Sequence, residues 1–173
     1  MQNHKSRKLN RLKEYDYSLN GEYFVTVCAK NRECLFGKII EGKMRLSDIG
    51  KIAQRCWQEI PIHFPDAELD EFIIMPNHIH GIIVVGNNAA VGNKNFCSLQ
   101  WQTKWARSLS SIIRGFKIGV TKWCRNNATQ IWQKSYYDHI IRNENSLNKI
   151  REYIKNNPLK WENDRNNTEN LWM

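Results

Sequence analysis

The fold depends on residues 76–85, with the sequence PNHIHGIIVV. The apolar, β-branched run from His78 to Val85 predicts a buried strand. Successive side chains of a strand point to opposite faces, so His78 and His80 share one face, about 7 Å apart. The Pro-Asn pair before them predicts a turn, and residues 69–75 predict the strand's hairpin partner. The two imidazoles therefore lie at the start of a strand, where a site can open to solvent.

Two imidazoles on one strand face suit a divalent metal ion, but a structural or surface pair gives the same pattern. A His-x-His motif also opens the metal site of barrel-type amidohydrolases. A (β/α)8 barrel takes about 250 residues. The chain has 173 residues and is too short for that fold.

Length and composition predict one domain over residues 1–173. Hydrophobic residues make up 41% and aromatic residues 11%, which excludes a disordered chain. The sequence has no run near the length of a membrane span and no apolar N-terminal signal region, so we expect a cytoplasmic protein with no membrane partner. The five cysteines show no C-x-x-C spacing, which fits a reducing compartment and argues against a zinc ribbon or a disulfide scaffold.

The charge is strongly basic, with 26 lysines and arginines against 17 acids and a net charge of +9. This excess favours an anionic partner, nucleic acid first. Residues 1–13 are basic without any acid, and they predict either a phosphate-binding arm or a solvated tail. Residues 86–107 lack periodicity and predict a mobile loop of the kind found beside binding surfaces, and residues 162–173 predict a polar tail.

Periodicity predicts the element order β, α, β, β, α, β, α. The predicted strands are residues 22–28, 69–75, 78–85 and 131–141; the predicted helices run over 47–63, 108–125 and from Asn145 or Ser146 to Pro158. Gly42 and Lys43 predict a loop turn. This order is a doubled split β-α-β unit, an α+β, ferredoxin-like fold with helices on one face of an antiparallel sheet, plus a C-terminal helix. The hairpin with the two histidines should lie centrally in that sheet.

The second predicted helix has two distinct faces. Its buried stripe is predicted to be Leu109, Ile112, Ile113, Phe116, Val120 and Trp123. Another face is basic, with Arg114, Lys117, Lys122 and Arg125. Such a face can bind the phosphates of a DNA strand, although a solvated face is the commoner origin of the pattern.

In the last helix, Tyr153 and Asn157 are four residues apart and so can lie over one face. Tyr153 could edge the core, three residues after Ile150, or it could act as a nucleophile towards an activated electrophile. The amide oxygen of Asn157 could add a third ligand to a metal ion at His78 and His80. Imidazole and oxygen ligands together suit Mg²⁺ or Mn²⁺ acting as a Lewis acid.

Two segments are the most distinctive, MPNHIHGII at residues 75–83 and YIKNNP at residues 153–158. Five others accompany them: RLKEYDY (11–17), YFVTV (23–27), NRECLFG (31–37), IRGFK (113–117) and YYDHIIRN (136–143). Together they resemble the REP-associated tyrosine transposases, a branch of the HUH single-strand transposase superfamily. The resemblance covers nearly the whole chain.

The resemblance implies an enzyme that cuts single-stranded DNA beside the hairpin of a palindromic repeat and can rejoin strands. It implies that His78 and His80 bind the metal ion, with Asn157 near it. Tyr153 would be the nucleophile that attacks in line and leaves a 5′-phosphotyrosine and a free 3′-OH. Expected DNA contacts are Lys5, Arg7, Lys8, Arg11, Arg114, Lys117, Lys122, Arg125, Arg142, Arg151 and Lys155, with Trp101, Trp105 and Tyr136 as candidates for base stacking.

Two other functions stay open at this point. One is a regulatory module that binds DNA hairpins without cleaving them. The other is a metal-dependent hydrolase of RNA or a small phosphoester, in which water replaces Tyr153 as the nucleophile. A covalent protein–DNA adduct would separate the transposase from both. The sequence is compatible with a monomer or a homodimer.

Overall fold

The computed structural model describes residues 15–17, 19–86, 108–124, 130–164 and 167. Its strands are β1 (Gly21–Cys28), β2 (Gly37–Ile40), β3 (Lys43–Leu46), β4 (Ala67–Ile74), β5 (His78–Val85) and β6 (Tyr137–Ile141). Its helices are α1 (Asp48–Gln58), α2 (Ile60–His63), α3 (Leu109–Trp123) and α4 (Glu144–Asn156), with short 3-10 turns at Lys30–Arg32 and Pro158–Asn163. The predicted arm at 1–13, nearly all of the predicted loop at 86–107 and most of the tail at 162–173 lie outside the described residues.

Four strands form the main sheet in the order β4-β5-β1-β6, and every neighbouring pair is antiparallel. This order confirms the predicted α+β, ferredoxin-like architecture. The histidine strand β5 lies between β4 and β1, as predicted, and is buried along almost its whole length. Among the residues that the structure describes, no helix has the length and apolarity needed to span a membrane.

Helices cover both faces of the sheet. Tyr23, Val25 and Val27 of β1 point to the face that packs against α1 and α3. The opposite face carries Ile82 and Ile141, which pack with Leu147 and Ile154 of α4. Because side chains alternate along a strand, His78 and His80 lie on this second face, under α4.

A glycine is required at position 81 because the side chain of Trp57 approaches the strand closely, from the face that packs against α1 and α3. A Cβ atom built at this position would lie 2.3 Å from Cζ2 of Trp57. Only a glycine lets the buried indole of Trp57, on α1, lie against the strand at this point. The sequence position directly after His80 is therefore fixed by core packing.

The small hairpin of β2 and β3 was predicted only as a loop turn at Gly42 and Lys43. The strands pair in register from Gly37 with Leu46 to Ile40 with Lys43. Glu41 (φ 50°) and Gly42 (φ 70°) make the two-residue turn, in the left-handed conformations that tight hairpins require. Strands of four residues are too short to show a clear period in the sequence.

The predicted helix at 47–63 is two helices in the structure. Ser47 caps α1, and its hydroxyl accepts a hydrogen bond from the Gly50 amide at 3.1 Å. The helix ends at Gln58, and Pro61 lies in the first turn of α2, where its missing N–H costs nothing.

The last helix starts earlier than predicted. Asn143, rather than Asn145 or Ser146, is the N-cap of α4, and its Oδ1 accepts from the Ser146 amide at 2.9 Å. An asparagine oxygen at this position satisfies an amide that has no partner within the helix. The periodic apolar positions alone do not show where the first turn begins.

The predicted limits of one strand and of one buried helix face were also wrong. The strand predicted at 131–141 is reduced to β6, because Ser135 has a positive φ of 70° and only Trp132 forms an isolated bridge, to Ala29. In α3, the buried stripe ends at Val120, and Trp123 is 49% exposed. The period gives the direction of a side chain but not the point at which the helix leaves the core.

Candidate active site

His78 and His80 converge at the start of β5. Their Nε2 atoms are 2.9 Å apart, and both rings are buried. The ring of Phe24 stacks on His80 with centroids 5.2 Å apart, and the ring of Trp161 lies 6.0 Å from His78. The aromatic walls hold both imidazoles in place.

Asn77 fixes the tautomer of His78. Its Nδ2 donates to the carbonyl of Arg32 at 3.0 Å, so its Oδ1 faces Nδ1 of His78, 2.8 Å away. An amide oxygen can only accept, so Nδ1 of His78 carries the proton. A neutral imidazole has one N–H, and Nε2 is left with the lone pair that a metal ion needs.

Thr26 orients His80 from the neighbouring strand. The two residues are directly opposite in the β1–β5 register, and Oγ1 of Thr26 lies 2.9 Å from Nδ1 of His80. Sequence reasoning assigned no role to Thr26, because the pairing register was not known. It gave Asn77 only a place in the turn and gave Trp161 no part in the site, although Asn77 adjoins His78 in the motif and a histidine ligand normally needs a partner at its second nitrogen.

Tyr153 reaches the histidine pair from α4. Its hydroxyl oxygen lies 3.2 Å from Nε2 of His80, and its ring meets the rings of His80 and Phe24 edge-on, at 5.3 and 6.0 Å. The side chain is 41% exposed, so a substrate can approach the hydroxyl from solvent. Of the two interpretations of Tyr153, packing at the edge of the core accounts for the ring but not for the position of the hydroxyl.

Asn157 is the C-cap of α4 and keeps helical angles, φ −59° and ψ −43°. A proline normally disfavours helical angles at the residue before it, but Asn157 keeps them in front of Pro158. Asn157 therefore lies one turn beyond Tyr153 on the same side of the helix. Its side chain is buried, and its Oδ1 accepts no hydrogen bond from the part of the chain that the structure describes. Such a carbonyl oxygen is costly to bury without a donor or a cation.

These groups fit a divalent metal ion. Among the described ranges, no group of three His, Cys, Asp or Glu side chains is arranged to hold one. The donors available are the Nε2 atoms of His78 and His80 and the amide oxygen of Asn157. Two imidazoles and an oxygen suit Mn²⁺ or Mg²⁺, with the remaining positions left for water and substrate oxygens.

The predicted DNA contacts on α4 lie in ion pairs. Arg151 binds Asp70 through Nε and Nη2, and Nζ of Lys155 lies 2.8 Å from Oε1 of Glu71. The hydrogen bond from Arg151 is the main cause of a lowered pKa at Asp70. Consecutive strand residues normally face opposite ways, but a register shift between Leu69 and Phe72 allows both acids to reach the helix. These pairs tie α4 to β4.

The predicted basic face of α3 lies on the other side of the sheet from the histidines. Arg114 and Lys122 line a groove of about 400 Å³ between α3 and the segment before β6. Nζ of Lys117 donates to the carbonyls of Gln133 and Ser135, and burial lowers the pKa of Lys117 to about 8. Arg142 is exposed directly after β6. Outside the described residues lie Lys5, Arg7, Lys8, Arg11, Trp101, Trp105 and Arg125.

No protein-family model matches this chain. An uncharacterised protein of Haemophilus influenzae strain Rd is 46% identical over 91% of each chain. A second protein of that strain, provisionally named a REP-associated tyrosine transposase, is 26% identical over 84% of this chain and 74% of its own.

A solved structure, that of a REP-associated tyrosine transposase bound to a REP hairpin, has the same fold. Its TM-score is 0.60 at 22% identity, over 87% of this chain and 74% of that one. The chain has the fold of a REP-associated tyrosine transposase and is similar in sequence to a protein named as one. The two most distinctive motifs of the sequence, at residues 75–83 and 153–158, are the ones that meet at the histidine pair.

Proposed function

We propose that this protein is a transposase that cuts and rejoins single-stranded DNA next to a hairpin through a 5′-phosphotyrosine intermediate. The observation that carries the proposal is the distance of 3.2 Å between the Tyr153 hydroxyl and Nε2 of His80, which itself contacts His78. A DNA substrate is supported by the hairpin bound to the structural neighbour and by the net charge of +9.

Three side chains would hold the metal ion: His78, His80 and Asn157. When bound there, Mg²⁺ or Mn²⁺ would supply Lewis-acid stabilisation of the negative charge on the phosphate that is cut. Asn77 and Thr26 hold the two imidazoles in the orientation in which the Nε2 atoms face this position. The wall of Phe24 and Trp161 limits the access of water from the sides of the rings.

Tyr153 performs the displacement. Its phenol oxygen forms a bond to phosphorus, and the bond from phosphorus to the 3′ oxygen of the preceding nucleotide breaks. The phenol proton passes to solvent, which reaches the exposed side chain, and the departing oxygen takes up a proton to become a 3′-OH. The phosphotyrosine ester keeps the energy of the broken bond, so a 3′-OH can reverse the reaction without ATP.

A labelling experiment tests the proposal. Single-stranded hairpin oligonucleotides labelled at the 5′ or the 3′ end are incubated with the protein and Mn²⁺ and then run on a denaturing gel. The transposase gives a protein-linked 3′ fragment and a free 5′ fragment that ends in 3′-OH. Cleavage without a protein-linked product would indicate a hydrolase, and binding without cleavage would indicate a hairpin-binding module.

A further inference from the structure

A cleft of about 350 Å³ opens beside His80, on the same face of the sheet as the histidine pair. Thr26 pairs with His80 on one side and with Tyr137 on the other, so these three side chains form a row across β5, β1 and β6. The cleft follows this row towards the edge of the sheet, and Arg32 also lines it. Its volume is at the lower end of the range for small-ligand sites, about 300–1,000 Å³.

Tyr137 gives this cleft an aromatic wall. The side chain is 46% exposed on the edge strand β6, and no other ring packs against it within the described ranges. Its neighbour Tyr136 points to the other face and is only 6% exposed. Two inter-strand spacings place Tyr137 about 10 Å from His80. An exposed ring at this distance can stack on a base whose phosphate lies at the histidines.

Arg32 gives the cleft a positive charge, and its backbone conformation is unusual. Asn31 and Arg32 have positive φ angles of 53° and 57°, a strained conformation for residues other than glycine. Such strain persists only where the surroundings hold it, most often at functional sites. The Arg32 carbonyl accepts from Nδ2 of Asn77, the residue that also orients His78. The position of Arg32 is therefore linked to the histidine pair.

We infer that this cleft binds one unpaired nucleotide of single-stranded DNA, with its base on Tyr137 and a phosphate towards Arg32. The inference rests on the proposed function, because it places this nucleotide next to the phosphate that is cut.

The geometry around His80 identifies which nucleotide this is. Tyr153 meets Nε2 of His80, whereas Thr26, in the wall of the cleft, meets Nδ1. In an in-line displacement the leaving oxygen departs on the side away from the nucleophile. The cleft consequently holds the nucleotide on the 5′ side of the cut, which leaves with the free 3′-OH.

The first test uses photocrosslinking of random-sequence single strands that contain 5-iodouracil, so it does not depend on cleavage. We expect the cross-link to map to Tyr137 by mass spectrometry of the peptides. Tyr137→Ala should weaken binding of these strands about tenfold in fluorescence anisotropy, whereas Tyr137→Phe, which keeps the ring, should bind like the native protein. The matched control is Trp123→Ala, which removes an exposed ring outside the cleft. Cross-links only at other residues, with unchanged binding by Tyr137→Ala, would overturn the inference.

The second test uses a cleaved hairpin substrate with 2-aminopurine at single positions around the cut. Quenching should be strongest for the nucleotide on the 5′ side and should be lost in Tyr137→Ala, with KM raised more than kcat is lowered. Quenching confined to the 3′ side would refute the assignment of the leaving nucleotide. If no substrate is cleaved, the proposed function fails, while the cross-link still decides whether the cleft binds an unpaired nucleotide.

Discussion

Arg151 donates from Nε to both carboxylate oxygens of Asp70, at 3.1 Å each, although the two residues are 81 positions apart in the chain. This pair joins the helix that carries Tyr153 to the sheet that carries the histidines. The distance between the Tyr153 hydroxyl and the histidines therefore depends on a charged contact outside the site.

The Arg151–Asp70 pair should make stability pH-dependent. The pKa of Asp70 is lowered in the folded protein, so its contribution is fully present above the ordinary aspartate pKa of about 3.9 and is lost as pH falls through the lower folded value. We expect Asp70→Asn to lower the free energy of unfolding by about 1 kcal/mol at pH 7. The difference from the native protein in urea melts should shrink as the pH falls below 4. A constant difference would show that the charge of Asp70 is not involved.

Mn²⁺ should stabilise the folded protein through the histidine pair. At 100 times its Kd, a ligand that binds only the folded state adds about 2.7 kcal/mol, which raises Tm by several degrees. We expect this shift, and the EDTA-sensitive cleavage, to be absent in His78→Ala and His80→Ala, whose circular dichroism spectra should stay native-like. His63→Ala, which removes an exposed imidazole on α2, is the matched control. Cleavage that survives EDTA would contradict the metal role.

Asn77 should matter for metal affinity without touching the metal ion. In Asn77→Ala the hydrogen bond that keeps the proton on Nδ1 of His78 is gone, so the proton can move to Nε2. We expect Mn²⁺ affinity in isothermal titration calorimetry to fall about 10- to 100-fold. Asn163→Ala, at an exposed position of the Pro158–Asn163 turn, should bind Mn²⁺ like the native protein. Equal affinities in all three proteins would remove Asn77 from the site.

Tyr153→Phe should distinguish a role of the hydroxyl in strand cleavage from a role in DNA binding. Because the ring still packs on Phe24 and His80, we expect native stability and hairpin binding, but no strand cleavage and no covalent adduct. Tyr136→Phe and Tyr137→Phe should retain cleavage at least in part. The readout is a denaturing gel of labelled hairpin DNA. A DNA-linked species formed by Tyr153→Phe would assign the nucleophile to another residue.

Binding of single-stranded DNA should depend strongly on salt. If about five phosphates are contacted, log K should fall against log salt with a slope of about −3.5. We also expect a single strand with an adjacent hairpin to bind more tightly than random duplex. Anisotropy titrations between 50 and 300 mM NaCl measure both. A slope near zero would argue against phosphate contacts as the source of affinity.

The sequence was sufficient for the order of the main elements because of strong periodic patterns. The β-branched run from His78 to Val85, apolar apart from its two histidines, predicted a buried strand at the centre of the sheet, and β5 is indeed central. The shared face of His78 and His80 followed from the two-residue period of a strand. The four-residue turn of a helix likewise related Tyr153 to Asn157.

Contacts between distant segments could not be predicted in the same way. Thr26 became a partner of His80 only through the register of β1 with β5, which no local pattern determines. Likewise, nothing near Arg151 in the sequence shows that Asp70 will neutralise it, and nothing near Lys117 shows that two carbonyls will hold its ammonium. Basic residues could thus be identified by type, whereas their availability to DNA depends on tertiary partners.

Gly81 and Trp57 have a consequence for how the site can evolve. The indole presses on the back of the strand at the residue next to His80, where a single methyl group would not fit. A bulkier side chain at position 81, or a change in the packing of the indole, would therefore displace the strand that carries the histidines. Mutations that alter the histidine site should therefore accumulate on the face of the sheet that carries the histidines. Residues on the face that packs against α1 and α3 should change little.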